Sequence, residues 1–196
     1  KNTAIALKLK EKSSFVLNKD DYSSIPFWAV TYHMPCTWKD PRIMMIHTAS
    51  LGKFIDNITD CKEHCILGID FNSQPDSHQY RILTKGYSDG VDDLLRKDDP
   101  NWGTIYEPIT LLKSSYKQIH GAEPICTNYA YCSNGGTEFK ATIDYIFVTK
   151  NITVYSVKRL NDQTELLPNK DQPSDHLPLE CDLVIEFKKK ENKKEK

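Results

Sequence analysis

The sequence predicts a mixed α/β (α+β) domain in which sheets and helices pack in layers. Three observations carry this. Cys65 to Phe71 is a short, nearly all-apolar run of the kind that forms a buried central strand. Ile43, Leu51, Phe54 and Ile58, with His47 between them, recur at helical spacing. Segments with a strand pattern outnumber those with a helical one, over a 196-residue length that suits one domain better than two.

Taken in order, Ala4 to Leu9 alternates well enough for a strand, and the polar, turn-rich Lys10 to Ser24 reads as a loop or hairpin before a Phe27 to His33 strand. Asp40-Pro41 pairs an N-cap residue with proline at the first helical position, which starts the helix. After the Cys65 to Phe71 strand, Ser73 is expected to cap a second helix with Asp76 reaching back, and Gly86 to end it. Asp89 to Trp102 is charged and reads as loop, with some helix in Val91 to Arg96. Thr142 to Val148, Val154 to Leu160 and Leu179 to Phe187 read as strands, the last lining one face with Leu179, Cys181, Leu183, Ile185 and Phe187. The domain is expected over residues 1–187, with 188–196 a Lys-rich, solvated, disordered tail.

Composition narrows the function classes. With 39% hydrophobic residues the chain is not a wholly disordered one, and no apolar run approaches the roughly 18 residues of a membrane span. The tail from Lys188 carries six Lys and two Glu, net +4, which leaves −5 on the remainder of a chain whose total is −1. An acidic body argues against a broad duplex-binding surface and suits carboxylates gathered around a cation. Six cysteines in this length are too sparse for a disulfide scaffold and read as reduced thiols. Cys61, His64 and Cys65 have no second Cys/His pair at finger-like spacing, so no zinc site is expected. Reduced thiols and the lack of a visible signal segment favour an intracellular home, cytoplasmic or nuclear, with no membrane partner.

The chemistry-bearing residues fall into three groups. Asp70 and Asn72 stand two apart at a strand end, so both side chains should project to the same side, where a carboxylate beside a carboxamide can orient a water for attack on phosphorus. Asp144 shares a strand face with Ile146 and Val148, an apolar setting in which a carboxylate needs a partner. Ser174-Asp175-His176 lies between Pro173 and Pro178, a rigid loop that presents an acid and an imidazole together. If Asp144 accepts the N–H of His176, the ring is held in one tautomer and its other nitrogen can face a phosphate. His33, at the end of its strand, reads by itself as structural.

The series Thr31-Tyr-His33, Gly68-Ile-Asp70-Phe-Asn72-Ser73-Gln-Pro75-Asp-Ser77-His-Gln-Tyr80, Thr127-Asn128-Tyr129, Thr142-Ile-Asp144-Tyr-Ile-Phe147 and Ser174-Asp175-His176-Leu-Pro178 resembles the exonuclease-endonuclease-phosphatase superfamily, in order and across most of the chain. The Ser73-x-Pro75-x-Ser77-x-x-Tyr80 and Thr127-Asn128-Tyr129 elements resemble its carbon-catabolite-repression and nocturnin-like deadenylases and their 2'-phosphodiesterase relatives. The resemblance implies a two-sheet, DNase I-like sandwich flanked by helices, with magnesium-dependent phosphodiester hydrolysis at one edge and manganese as a substitute ion. Asp70 would then orient or deprotonate the water, Asn72 bind the transferring phosphate, His33 contact the scissile phosphate, and Asp175, with Asp70, support the metal. Asp144 would orient His176, which stabilises transition-state charge. Phe139 matches the aromatic on which these enzymes stack the terminal adenine, and Asn128 is a further substrate-binding candidate. Either Pro35 or Pro41 would pack on the base.

Two departures qualify this. Ile69 stands where the family has glycine, on the strand face away from Asp70. The family's metal-binding Glu, in an upstream Leu-Gln-Glu motif, and an Asn near its first strand are not within the chain. The chain is therefore expected to be the C-terminal portion of a longer catalytic domain, with the upstream half of that domain as its first partner, and to turn over weakly alone. The leading expectation is a deadenylase-like 3' exonuclease acting on the poly(A) end of RNA, releasing nucleoside 5'-monophosphate, with adaptor proteins as further partners. The alternatives are a phosphatase or phosphodiesterase for a small phosphorylated molecule, and a non-catalytic module that binds RNA or protein.

Overall fold

The computed structural model describes residues 3–10, 22–23, 25–37, 40–87, 89–90, 107–132, 136–160, 162–185 and 188–189. The elements are β1 (Ile5–Leu9), β2 (Tyr22–Ser23), β3 (Phe27–His33), α1 (Pro41–Thr59), β4 (His64–Asp70), α2 (His78–Lys85), β5 (Leu112–Ser114), α3 (Ser115–His120), β6 (Asn128–Tyr131), β7 (Glu138–Ala141), β8 (Asp144–Thr149), β9 (Thr153–Val157), β10 (Cys181–Val184) and β11 (Lys188–Lys189). Most of the expected Lys10 to Ser24 loop and of the Asp89 to Trp102 loop, including Val91 to Arg96, lies outside the described residues. So does the tail after Lys189; Lys188–Lys189 itself pairs with Tyr22–Ser23.

A five-stranded sheet in the order β1-β3-β4-β8-β5 forms the frame. β3 and β4 are parallel, joined through α1 as a β-α-β crossover, and the other pairs are antiparallel. Strand alternation divides the central strands between two faces. Val30 and Tyr32 of β3, Cys65, Leu67 and Ile69 of β4, and Tyr145 and Phe147 of β8 point to one face, where Met44, Leu51 and Ile55 of α1 and Tyr80 and Leu83 of α2 cover them. Ile69 is 5% exposed on this core face, so its side chain is kept clear of Asp70. The opposite face carries Ile66, Gly68 and Asp70 of β4 and Asp144 and Ile146 of β8. The antiparallel β9–β10 pair, with Ile152, Val154 and Leu183, packs over Ile66 and Val148 there.

Helix α1 begins as expected, Asp40 accepting from the Arg42 N–H at its N-terminus. Near its other end the buried Asp56 accepts from the N–H groups of Ile109 and Thr110 at 2.9 and 2.7 Å. This fixes the return of the chain toward β5. Helix α2 corrects one expectation: its cap is Ser77, whose Oγ accepts from the Tyr80 N–H, and not Ser73. Asp76 adopts φ 63°, a left-handed turn that cannot lie inside a helix started at Ser73. Gly86 ends α2 in the left-handed conformation, as expected. The short β5, α3, β6 and β7 were not foreseen from the pattern. No helix among the described residues is long and apolar enough to cross a membrane, and none of the six cysteines forms a disulfide.

Candidate active site

Register builds the site. His33 pairs with Asp70 across the parallel β3–β4 ladder, and Asp70 pairs with Asp144 across the antiparallel β4–β8 ladder. Three chemistry-bearing residues thus stand in one row, at one end of the three central strands and on the face away from the helices. His33 Nε2 lies 3.3 Å from Asp70 Oδ2. Taken alone His33 read as a structural residue; the register brings it to the carboxylate.

The loop after Pro173 lowers His176 onto this row. Leu177 N–H donates to Thr127 O at 2.7 Å, and Asn128 bridges to His176. His176 Nδ1 then sits 2.8 and 3.0 Å from the two oxygens of Asp144, the pairing expected from the apolar setting of that carboxylate. Its Nε2 faces Asp70 Oδ2 and Asp175 Oδ2, each at 3.9 Å. Asn128 Nδ2 donates to Asp175 Oδ2 at 3.4 Å.

Asn72 is placed differently from its expectation. The strand ends at Asp70, and Asn72 has φ 47°, so alternation no longer sets its direction. Its N–H donates to Asp70 Oδ1 at 3.1 Å and its Nδ2 to Met34 O at 2.8 Å. It thereby ties the Asp70 loop to the segment that holds Pro35. Phe139 lies outside the row, on the β6–β7 ribbon. Ala130 is opposite Phe139 and Asn128 is opposite Ala141, so Phe139 is the diagonal neighbour of Asn128 on one ribbon face. Pro41 is the first residue of α1.

Burial and charge act on the row. Burial first, then the neighbouring Asp144 charge, raises the pKa of Asp70, against the Asn72 N–H and the two imidazoles. His176 is raised as well, chiefly by its hydrogen bond to Asp144, with burial opposing. One carboxyl is thus inclined to take a proton and one imidazole to keep one, side by side.

Among the described residues, Asp70, Asp144 and His176 are the group whose ligand atoms converge, all within 4.8 Å of one another. The oxygens of Asp144 are engaged by His176 and by Thr127, which donates to Oδ2 at 2.7 Å. Asp70 and Asp175 remain as hard oxygen donors, a set that fits magnesium or manganese better than a soft ion. Cys61, by contrast, is exposed beyond α1, while His64 and Cys65 point to opposite faces of β4, so these residues do not converge. A cavity of about 650 Å³, lined by Tyr116, His120, Glu123, Cys126 and Arg159 among others, includes none of the carboxylates of the row. Thr127 was seen in the sequence only as part of a motif. Its contact with Asp144 spans 17 residues and has no local signal.

A family model described as "Endonuclease/Exonuclease/phosphatase family" matches residues 11–176. Carbon catabolite repressor protein 4 homolog 4 of Arabidopsis thaliana is 28% identical over 151 residues, which cover 74% of this chain and 32% of that protein. The human Nocturnin catalytic domain, solved with a bound sulfate, superposes with a TM-score of 0.62 at 24% identity, over 95% of this chain and 53% of that one. ANGEL2, solved as a 2',3'-cyclic phosphatase with adenosine-2',3'-vanadate, superposes with a TM-score of 0.60 at 17% identity, over 92% and 66%. The chain thus spans about a third of the length of the plant relative and about half of the Nocturnin domain.

Proposed function

The chain belongs to the endonuclease/exonuclease/phosphatase family, and from that premise we propose that its site serves a metal-dependent phosphodiester hydrolase of the deadenylase kind, a 3' exonuclease that releases nucleoside 5'-monophosphate from the poly(A) end of RNA. The observation that carries the reading is the row His33–Asp70–Asp144 with His176 seated on it.

In this reading water attacks the phosphorus and its proton passes to Asp70, while the bond from phosphorus to the 3' oxygen breaks and that oxygen takes up a proton from solvent water to leave as a hydroxyl. Asp70, its Oδ1 held by the Asn72 N–H, is placed to accept that proton. His176, held by Asp144, presents Nε2 to the phosphate oxygens and stabilises the charge that develops there. His33, with Nε2 3.3 Å from Asp70 Oδ2, would contact the scissile phosphate from beside that carboxylate. Asn72 binds the transferring phosphate and keeps Asp70 oriented through its N–H. Asp70 and Asp175 would hold magnesium or manganese, which supplies charge neutralisation on the phosphate. Phe139 would stack the terminal adenine with Asn128 next to it, and Pro35 would close on the base. The 28% identity to the plant carbon catabolite repressor protein supports the deadenylase branch.

The likeness to ANGEL2 favours a second reading, hydrolysis of a small adenine phosphoester by the same residues. The test is release of AMP from short oligo(A) with magnesium or manganese by the protein in its full natural length, wild type and Asp70→Ala, ranked against a dinucleotide phosphate, an adenosine 2',3'-cyclic phosphate and an inositol phosphate. Preference for oligo(A), lost in Asp70→Ala, supports the exonuclease. Preference for a small ester moves the second reading ahead. Oligo(A) binding that survives Asp70→Ala, without turnover of any substrate, replaces both with a binding module.

A further inference from the structure

The β6–β7 ribbon carries different chemistry on its two faces. Asn128 of β6 donates to Asp175 of the site, so the face it shares with Ala130, Phe139 and Ala141 is the one turned to the row. Alternation puts Tyr129 and Tyr131 on the other face, opposite Lys140 and Glu138 in the register. Tyr131 is 59% exposed there, and Glu138 and Lys140 are exposed as well. The edge of β6 receives the Leu167 N–H at Tyr129 O, whereas β7 pairs with no further strand among the described residues. A single strand of RNA that starts at Phe139 can therefore pass round the β7 edge from one face to the other.

The outer face suits a nucleobase. Tyr129 is held in place, its hydroxyl donating to Glu138 Oε2 at 2.8 Å and Lys140 Nζ lying over its ring, 5.1 Å from the centroid. The ammonium covers one side of that ring and leaves the other. Residues two apart along a strand stand roughly 6.8 Å from each other, twice the roughly 3.4 Å between stacked bases, so one base fits between the rings of Tyr129 and Tyr131. Lys140 gives one ammonium proton to Gln163 O and keeps two for a phosphate oxygen. Its charge balances that of Glu138, so stacking rather than net charge must supply the affinity, as an acidic chain requires. We propose that this outer face is a second stacking platform for single-stranded RNA, in which Tyr129 and Tyr131 take a base beyond the terminal nucleotide and Lys140 takes a phosphate. The proposal rests on the RNA-directed reading of the site and extends it.

The test is binding of phosphorothioate oligo(A), without metal, to the protein in its full natural length. A dinucleotide reaches the Phe139 face alone, and a hexanucleotide is long enough for both. The hexanucleotide is expected to bind more tightly than the dinucleotide. Tyr131→Ala should weaken the hexanucleotide by about 5- to 150-fold, the worth of one stacked base, and leave the dinucleotide unchanged. Tyr131→Phe, which keeps the ring, should bind as the wild type does. Equal losses at both lengths, no loss at either, or a phenylalanine variant as weak as the alanine one overturns the proposal. Should Tyr131→Ala not fold, the wild type still decides: the ring-proton signals of Tyr131 must move upfield with the hexanucleotide and stay in place with the dinucleotide, and unmoved signals overturn the proposal. A dinucleotide bound as tightly as the hexanucleotide overturns it and leaves the exonuclease reading standing, whereas no binding of either length overturns both.

Discussion

Gly52 lies in the middle of α1, where replacing glycine by alanine ordinarily stabilises a helix by about 1 kcal/mol. Here the opposite is expected. A Cβ on residue 52 would stand 2.2 Å from Cγ and 2.9 Å from Cβ of Pro108, far inside any real contact. The neighbour cannot yield easily, because the two residues after Pro108 are held by the buried carboxylate of Asp56 on the same helix. Overpacking of this kind costs about 1 to 3 kcal/mol, and the closeness of the overlap places Gly52→Ala at the upper end. After subtraction of the helix-propensity gain, the variant should be less stable by about 2 kcal/mol. Urea unfolding of the wild type, Gly52→Ala, Pro108→Gly and the double variant measures this as a cycle. In the Pro108→Gly background the alanine should recover its ordinary gain. A Gly52→Ala protein more stable than wild type by about 1 kcal/mol would refute the packing of the 107–110 return against α1.

The paired pKa shifts give a sign for pH. His176 and Asp70 are both raised, so each binds its proton more tightly folded than unfolded, and stability should fall as pH rises through the window between 3.8 and the folded value of Asp70 and again above 6.5. Asp144→Asn should remove the upper step, seen in urea midpoints taken against pH; persistence of that step would contradict the His176–Asp144 pairing. Asp70→Asn should abolish hydrolysis while raising stability at neutral pH, and a destabilised Asp70→Asn protein would contradict the burial argument. Phe139→Ala should weaken oligo(A) binding by about 1 to 3 kcal/mol, the worth of one stacked base, read as a rise in KM; an unchanged KM removes Phe139 from the base site.

Features with a local physical cause were legible in the sequence. The Phe27–His33 strand, the Asp40-Pro41 helix start and the buried β4 follow from alternation, capping chemistry and a run of apolar residues, and each is found in place. The pairing of Asp144 with His176 was legible for a different reason, since a carboxylate on an apolar strand face must find a partner. The shortest elements were not readable, because three to six residues carry too little periodicity to stand out. Nor was the cap at Ser77, decided by the left-handed turn at Asp76.

The candidate site groups were thus named from the sequence, and their mutual geometry is set by register. His33 meets Asp70 only because β3 and β4 align in parallel with no slip, and a shift of one residue would turn either side chain into the helical core. Thr127 meets Asp144 only because the chain returns 17 residues later to lay β8 beside β4. Such contacts are decided by which strands pair and on which face, and that choice is made by burial of the whole sheet, a property no single segment carries.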